Sequence, residues 1–168
     1  MTTLYLVRHG ETVDNVRKIM QGQTQGELTP TGVEQAQQLC RQLLHEPIDR
    51  FVSSDLQRAI DTCAIIAKPH GKEVITTPLL RERDWGSFTG RYIPDLQHET
   101  WPDDIESLDD LCRRAQHFIT WLKTAMPHQH VLAVGHGIIN KAIQSVFFQK
   151  PMNQVQRMEN AEVRILEL

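Results

Sequence analysis

The 168-residue chain has only three cysteines, no long apolar run and no cluster of basic residues. Cys40, Cys63 and Cys112 are far apart and lie within helical apolar patterns, which favours reduced core thiols over disulfides or a zinc site. No stretch of about 18 apolar residues is present to span a membrane, and the first residues do not form a signal peptide. We therefore expect a cytoplasmic protein that does not bind membranes.

The charge of the chain also limits the kinds of molecule that we expect it to bind. The chain has 18 lysines and arginines against 21 aspartates and glutamates, a formal net charge of -3. Without a run of basic residues it offers no track for a polyanion, so nucleic acid is a poor candidate. With 40% hydrophobic and 23% charged residues, the composition is typical of a globular protein. No linker or repeat divides residues 1–168, which predicts a single domain.

Short apolar runs alternate with longer helical patterns along the chain. The runs are typical of strands buried beneath helices, and they lie at residues 3–7, 50–53, 73–76, 131–134 and 163–167. Apolar stripes at helical spacing predict three helices, over residues 33–44, 56–67 and 108–122. Thr29 and Ser107 are the expected N-caps of the first and third helices, and a fourth helix should follow His136. We therefore predict an α/β fold with helices layered on a mostly parallel sheet.

Residues 87–106 follow neither the strand nor the helix period and contain two prolines and several aromatic residues. We interpret this segment as a short irregular flap. Its residues Tyr92 and Trp101 either line a substrate pocket or give the flap a small core of its own.

Polar side chains of a few types follow four of the predicted strands. Because the carboxyl ends of parallel strands open on one side of a sheet, we expect these side chains to converge. Arginines neutralise phosphate oxygens, a histidine can attack phosphorus, and a carboxylic acid can protonate the leaving oxygen. The set suits a phosphate monoester and requires no metal. Its members are Arg8, His9, Arg58, Glu82 and His136.

Short motifs in a fixed order extend this set. They are Leu-Val-Arg-His-Gly-Glu-Thr at 6–12 with Asn15, Gln21-Gly22 before Leu28-Thr29, the run from Ser53 to Ala59, Leu80-Arg81-Glu82 ahead of Gly86, Glu106-Ser107 with Asp110 and Arg114, and Val134-Gly135-His136-Gly137. Through these motifs, which span nearly the whole chain, the sequence resembles the histidine phosphatase superfamily of phosphoglycerate mutase-like proteins. The resemblance implies their three-layer α/β/α fold.

The resemblance also implies a role for each matching residue. His9 would be the nucleophile that becomes phosphorylated, with Arg8, Arg58 and His136 around the phosphoryl group. Glu82 would be the general acid that protonates the leaving oxygen and then, as a carboxylate, takes a proton from water. No cofactor or metal is implied. The remaining substrate contacts would come from Asn15, Gln21, Gly22 and Gly137.

Sequence alone leaves other interpretations of the charged residues open. Glu82 lies among Arg81, Arg83 and Asp84, so it could belong to a solvated charge cluster. Arg81, Arg83 and Arg91 could contact a second anionic group of the substrate or be solvated surface residues.

The turn after the second strand has a structural interpretation. Asp55 is the expected N-cap of the following helix, and Ser53 and Ser54 are expected to support that turn. The remaining histidines show no partner spacing and are expected at the surface or at helix ends; they are His45, His70, His98, His117, His128 and His130.

The segment between Glu82 and His136 favours a phosphatase. Only 53 residues separate these positions, whereas phosphoglycerate mutases that resemble the chain carry a considerably longer insertion there, which closes the site. We therefore expect a member of the small phosphatase branch, a metal-independent enzyme that hydrolyses phosphate monoesters through phosphohistidine on His9. The alternatives are a phosphoglycerate mutase and a non-catalytic module that binds phosphate or phosphopeptides.

The substrate would be a small phosphorylated metabolite, such as a sugar phosphate, α-ribazole phosphate or phosphoglycerate, or else a phosphoprotein. Sequence does not choose among these, and it leaves the oligomeric state open.

Overall fold

A five-stranded sheet forms the centre of the protein in the computed structural model, which describes residues 1–168. The strands are ordered β3-β2-β4-β1-β5, and only β5 is antiparallel, pairing with β1. The predicted mostly parallel sheet is therefore confirmed. The strands are β1 (Thr3–Arg8), β2 (Arg50–Ser54), β3 (Val74–Thr77), β4 (His130–Gly135) and β5 (Val163–Glu167).

Five α-helices accompany the sheet, namely α1 (Val13–Arg17), α2 (Pro30–Gln42), α3 (Gln57–Ala67), α4 (Leu108–Ala125) and α5 (Gly137–Phe148). The four predicted helices are confirmed as α2 to α5. The sequence did not predict α1, because five residues are too few to show a periodic apolar stripe. None of the helices combines the length and the apolar character that a membrane crossing requires. Short 3-10 helices lie at Lys68–His70, Pro78–Leu80, Gly86–Phe88, Ile93–Leu96 and Met152–Gln154.

Two of the helices begin at the predicted N-caps. The Thr29 hydroxyl accepts a hydrogen bond from the Gly32 N–H at 3.0 Å, and Pro30 occupies the first position of α2, where no intrahelical N–H bond is lost. The Ser107 hydroxyl accepts from the Asp110 N–H at 3.0 Å at the start of α4. The start of each of these helices is therefore determined by residues close in sequence, which is why it could be predicted.

The prediction that Asp55 caps α3 is wrong. Leu56 occupies the N-cap position, and no side chain caps this helix. The Asp55 carboxylate instead accepts two hydrogen bonds, of 2.7 and 2.6 Å, from the Arg81 guanidinium, which lowers the pKa of Asp55 below its ordinary value. Ser54 does support the turn, as predicted, because its hydroxyl accepts from the Leu56 N–H at 3.1 Å. The Asp55 side chain therefore binds Arg81, which is distant in sequence, instead of capping α3.

Helices cover both faces of the sheet. Alternate residues of β1 face opposite sides, so that Leu4 and Leu6 pack in a core with α4 and α5, while Tyr5 and Val7 pack in a second core with α2 and α3. This is the three-layer α/β/α arrangement that the resemblance implied. The cysteines are free thiols within or beside these cores: Cys40, Cys63 and Cys112.

The predicted flap contains no α-helix and no strand. Trp101 packs edge-on against Trp85 and Phe88, with ring centroids 5.4 and 6.2 Å apart, so the flap has a small aromatic cluster, in which Trp101 remains 53% exposed. Neither Trp101 nor Tyr92 lines the pocket described below, whereas Trp85 and Ile93 do. Of the two interpretations of Trp101, the structure supports the flap core.

The ends of three parallel strands position the polar residues. The register of β1 and β4 pairs Arg8 with Gly135, so His9 and His136 leave the sheet at the same level. β2 lies on the other side of β4 and ends at Ser54. Residues that are far apart in sequence therefore meet at one edge.

Candidate active site

A pocket of about 190 Å³ opens at this edge of the sheet. It brings together eight of the predicted site residues, which are Arg8, His9, Asn15, Gln21, Gly22, Arg58, Glu82 and Gly137. The ninth, His136, does not line the pocket. It is fully buried next to His9, and the two ring centroids lie 5.1 Å apart.

His9 is held in one tautomer. Its Nδ1 atom lies 2.7 Å from the Gly10 carbonyl oxygen, which can only accept, so Nδ1 carries the proton and Nε2 keeps its lone pair. Burial lowers the pKa of His9 to about 3, and the positive charges of Arg58, Arg8 and Arg157 contribute. The imidazole is therefore neutral at physiological pH, as a nucleophile must be.

The Gly10 peptide that orients His9 is itself fixed. Its N–H donates to the Thr62 hydroxyl at 3.1 Å, and that hydroxyl donates to the Arg58 carbonyl at 2.8 Å. A β-carbon on Gly10 would lie 2.5 Å from the Gly32 carbonyl oxygen, so only glycine allows the loop to pack on α2. Thr62 thus links the Gly10 peptide, which orients His9, to the backbone of Arg58.

Arg8 and Arg58 are buried guanidinium groups that pair with backbone carbonyls and form no salt bridge with a carboxylate. Arg8 donates to the Met158 carbonyl at 2.8 Å, while Arg58 donates to the Gly22 carbonyl at 2.8 Å and also to that of Thr24. The Nε atom of each has no protein partner. Burial lowers the pKa of Arg58 to about 10, still well above neutral pH. Two guanidinium groups without a hydrogen-bonded carboxylate partner in a small pocket favour binding of an anion.

Glu82 does not belong to a solvated charge cluster. It is only 8% exposed, and its Oε1 atom accepts from the backbone N–H groups of Arg83, Ile138 and Ile139 at 2.9, 3.2 and 3.0 Å. The last two donors belong to the first turn of α5, where the backbone N–H groups have no partner within the helix. Oε2 accepts from one donor only, the Ile138 N–H at 3.1 Å, which also donates to Oε1. Because it has fewer donors around it than Oε1, Oε2 is the oxygen with room for a transferable proton.

The charged neighbours of Glu82 each have partners of their own. Arg81 pairs with Asp55, as described above. Arg83 donates to the Glu106 carbonyl at 2.8 Å and lies over the Trp85 ring at 4.8 Å. Arg91, the third arginine considered for a second anionic group, pairs with Glu99. None of these three arginines lines the pocket.

His136 caps the start of α5 without a side-chain bond to the helix. Its Nε2 atom lies 2.8 Å from the Ser54 hydroxyl, and its Nδ1 atom has no protein partner. Burial, followed by the charge of Arg58, lowers the pKa of His136 well below its ordinary value.

Two amides present N–H groups to the pocket. The side-chain oxygen of Asn15 accepts from the Thr12 N–H at 3.0 Å, and that of Gln21 accepts from the Thr12 hydroxyl at 3.1 Å. Both amide NH₂ groups therefore face away from Thr12 as donors. Asn15 and Gln21 line the pocket, so these donors suit phosphate oxygens.

The segment before β5 wraps around the end of β1. The Arg8 side chain donates to the Met158 carbonyl, the Asn160 amide donates to the His9 carbonyl at 3.1 Å, and the Ala161 N–H donates to the Arg8 carbonyl at 2.9 Å. Residues near the two ends of the described chain thus hold Arg8 and His9 together.

A comparison with known families finds one that matches nearly the whole chain. The sequence profile of the histidine phosphatase superfamily (branch 1) matches residues 4–168. The chain belongs to the histidine phosphatase superfamily.

Individual superfamily members carry different names. A probable phosphoglycerate mutase, GpmB, of Proteus mirabilis (strain HI4320) is 36% identical over 172 residues, covering 94% of this chain and 80% of that protein. The structure of a mycobacterial glucosyl-3-phosphoglycerate phosphatase complexed with VO3 matches with a TM-score of 0.90 at 28% identity, over 98% of this chain and 92% of that one. A phosphoserine phosphatase from Entamoeba histolytica, complexed with 3-phosphoglyceric acid, matches with a TM-score of 0.87 at 25% identity, over 98% and 90% of the two chains. Proteins named as phosphatases and as mutases thus resemble this chain.

Sequence reasoning missed several residues of this candidate site. Thr62 follows Arg58 by one helical turn, and this i, i+4 spacing was a usable signal. Gly26 adopts a φ of +76°, and a β-carbon there would lie 2.8 Å from the Arg58 side chain. Arg157 lines the pocket from the segment between α5 and β5, where no pattern marks it. Ser54 was assigned only to its turn, although it also contacts His136.

The buried neutral imidazole predicts that the protein loses stability in mild acid. The pKa of His9 is about 3 in the folded chain, against about 6.5 when unfolded. Between these values the unfolded chain binds the proton and the folded chain does not, so the free energy of unfolding rises with pH. Over pH 5 to 7 this one group should contribute about 2 kcal/mol. Urea unfolding followed by tryptophan fluorescence at the two pH values measures it.

A pair of variants isolates the contribution of His9. His9→Gln should unfold with a pH dependence smaller by that amount, since glutamine does not titrate. His45→Gln removes an exposed histidine and should leave the pH dependence of the wild type. If His9→Gln kept the full pH dependence, the imidazole would not be buried in its neutral form.

Proposed function

We propose that the chain is a metal-independent phosphatase that hydrolyses phosphate monoesters through a phosphohistidine on His9. One observation carries the proposal, namely a neutral buried imidazole whose free Nε2 shares a small pocket with two arginines that lack carboxylate partners. A module that only binds phosphate would need the arginines. It would not need Glu82 placed in the same pocket with one oxygen free for a proton.

The proposed first step transfers the phosphoryl group to the enzyme. Arg8, Arg58 and the amide N–H groups of Asn15 and Gln21 hold the phosphate oxygens and stabilise the charge that they carry in the transition state. His9 Nε2 forms a bond to phosphorus while the bond from phosphorus to the leaving oxygen breaks. That oxygen takes the proton from Glu82 Oε2, while the other ring proton of His9 stays on Nδ1, which donates to the Gly10 carbonyl.

The second step returns the enzyme to its starting state. Glu82, now a carboxylate, accepts a proton from water as the water oxygen bonds to phosphorus and the bond to Nε2 breaks. Inorganic phosphate leaves, His9 is neutral again, and Glu82 is protonated for the next cycle. The structure gathers no group of three or more histidine, cysteine or acidic side chains for a metal ion. Every step above is assigned to side chains of the protein.

Hydrolysis rather than transfer to a second substrate is supported by the short segment between Glu82 and His136. Of its 53 residues, α4 takes 18 and β4 takes 6. The flap that remains is short, and we expect it to leave the pocket open to water. The two structural relatives named as phosphatases also favour hydrolysis. The name of the Proteus relative favours the second candidate, phosphoglycerate mutase, so the experiment must separate the two.

Purified protein should release p-nitrophenolate from p-nitrophenyl phosphate between pH 5 and 8, with no loss of rate in excess EDTA. With 3-phosphoglycerate the expected product is inorganic phosphate. A mutase would instead form 2-phosphoglycerate when primed with 2,3-bisphosphoglycerate. A His9→Gln preparation controls for contaminating phosphatases. Absence of hydrolysis at every pH would favour the binding module, and inhibition by EDTA would contradict metal independence.

A further inference from the structure

The active-site pocket adjoins a second lobe, with which it shares part of its lining. This lobe has a volume of about 370 Å³, and it shares Arg8, Asn15 and Arg157 with the first pocket. It contains neither His9 nor Glu82 among its lining residues. A group bound there would therefore belong to the part of the substrate beyond the phosphoryl group.

Arg157 stands at the junction of the two lobes and has no partner. It forms no salt bridge, and its guanidinium makes no hydrogen bond within the protein. A β-carbon on Gly137 would lie 3.1 Å from its Nε and NH2 atoms, so the side chain rests on the first residue of α5. The absence of a side chain on Gly137 leaves the guanidinium its place beside the pocket.

The charges around Arg157 favour an anion. Its own charge lowers the pKa of both Arg8 and His9, after the larger effect of burial, which shows that it lies close to the reacting centre. The second lobe is lined by three cationic side chains, Arg8, Lys18 and Arg157, and by two acidic ones, Asp14 and Glu159. An anionic group bound between Arg8 and Arg157 would reduce the electrostatic repulsion between these two guanidinium groups.

We infer that Arg157 selects substrates by binding a carboxylate that the phosphate monoester carries beside its phosphoryl group. A guanidinium fork matches the two oxygens of a carboxylate. Arg8 and Arg58 are fixed by backbone carbonyls at the phosphoryl site, whereas Arg157 is exposed and free to close on a ligand. The inference rests on the proposed phosphatase function and adds the feature of the leaving group that the enzyme recognises.

Two matched substrates test this assignment. 3-Phosphoglycerate and glycerol 3-phosphate differ only in a carboxylate against a hydroxymethyl group, so their leaving oxygens are similar. The wild type should prefer 3-phosphoglycerate in kcat/KM. Arg157→Gln should lower kcat/KM for 3-phosphoglycerate about tenfold or more, the usual effect of losing a charge-assisted hydrogen bond. Its kcat/KM for glycerol 3-phosphate should stay within about threefold, a change that corresponds to a weak contact.

A control variant separates recognition from the general loss of charge. Arg113→Gln removes the same charge from an exposed position on α4, where the side chain pairs only with Asp110. It should keep the wild-type preference. Equal losses on both substrates in Arg157→Gln would show that Arg157 binds the transferred phosphoryl group, and unchanged rates would show that it binds neither group. Either result overturns the inference, as does a wild type without preference.

Calorimetry makes this test independent of turnover. The Kd values of 3-phosphoglycerate and glycerol 3-phosphate, measured for the wild type and Arg157→Gln, should show the same change in ratio as kcat/KM. A chain that bound both ligands but hydrolysed neither would refute the phosphatase proposal. The binding ratio would still decide whether Arg157 recognises the carboxylate.

Discussion

Replacing His9 with alanine is expected to lower phosphate release by a factor of about 10³ or more, the range found when a covalent nucleophile is removed. No other side chain in the pocket has the same chemistry. His136 is the neighbouring imidazole, but its Nε2 is engaged with Ser54 and its ring does not line the pocket. Arg8 and Arg58 would remain to bind phosphate. Substrate affinity should therefore fall much less than kcat.

The measurement has two parts. Steady-state phosphate release gives the loss of rate, and rapid quenching with a labelled substrate gives the amount of acid-labile phosphate on the protein. The wild type should carry this phosphate during turnover and His9→Ala should not. His45→Ala, an exposed change of the same kind, should match the wild type in both. Acid-labile phosphate on His9→Ala would place the nucleophile elsewhere.

Replacing Glu82 with glutamine is expected to separate substrates by their leaving groups. A sugar or glycerol alkoxide must be protonated as it departs, so the first turnover of glycerol 3-phosphate should slow by about 10² to 10⁴. p-Nitrophenolate leaves without a proton, so its first turnover should change little. The glutamine carbonyl can take the place of Oε1 and accept the same backbone N–H groups, which should preserve the fold.

The second step should slow for both substrates, because the glutamine cannot take a proton from water. With p-nitrophenyl phosphate the variant should therefore show a burst of p-nitrophenolate followed by slow turnover. Stopped-flow absorbance resolves the two phases. Glu34→Gln, an exposed change on α2, should show no burst beyond that of the wild type. Equal losses in the first turnover of both substrates would contradict the acid role of Glu82.

Much of this site could be predicted because it is encoded by strand ends. Arg8, His9 and His136 each follow an apolar run, and the parallel pairing of β1 with β4 brings them together without any further information. The helix caps Thr29 and Ser107 were equally local. Hydrophobic periodicity and helix capping each depend on residues that are close in sequence, so the sequence alone is enough to predict the elements that they define.

Features that depend on contacts between residues far apart in sequence could not be predicted from local patterns. Arg81 bound Asp55 across the fold and removed the expected cap, and the N–H groups of α5 decided that Glu82 is buried rather than solvated. Arg157 reaches Gly137 only because the chain reverses between α5 and β5. No local pattern distinguishes such residues from ordinary surface charges, and only the folded chain shows them.

The wrapping of residues 158–161 around Arg8 and His9 has a consequence for biosynthesis. His9 leaves the ribosome well before the groups that hold it and Arg8, because the Met158 carbonyl and the Asn160 amide follow about 150 positions later. A nascent chain therefore carries the proposed nucleophile without these supports until residues 158–161 emerge and β5 pairs with β1. Until then, no partner from this segment fixes the positions of Arg8 and His9.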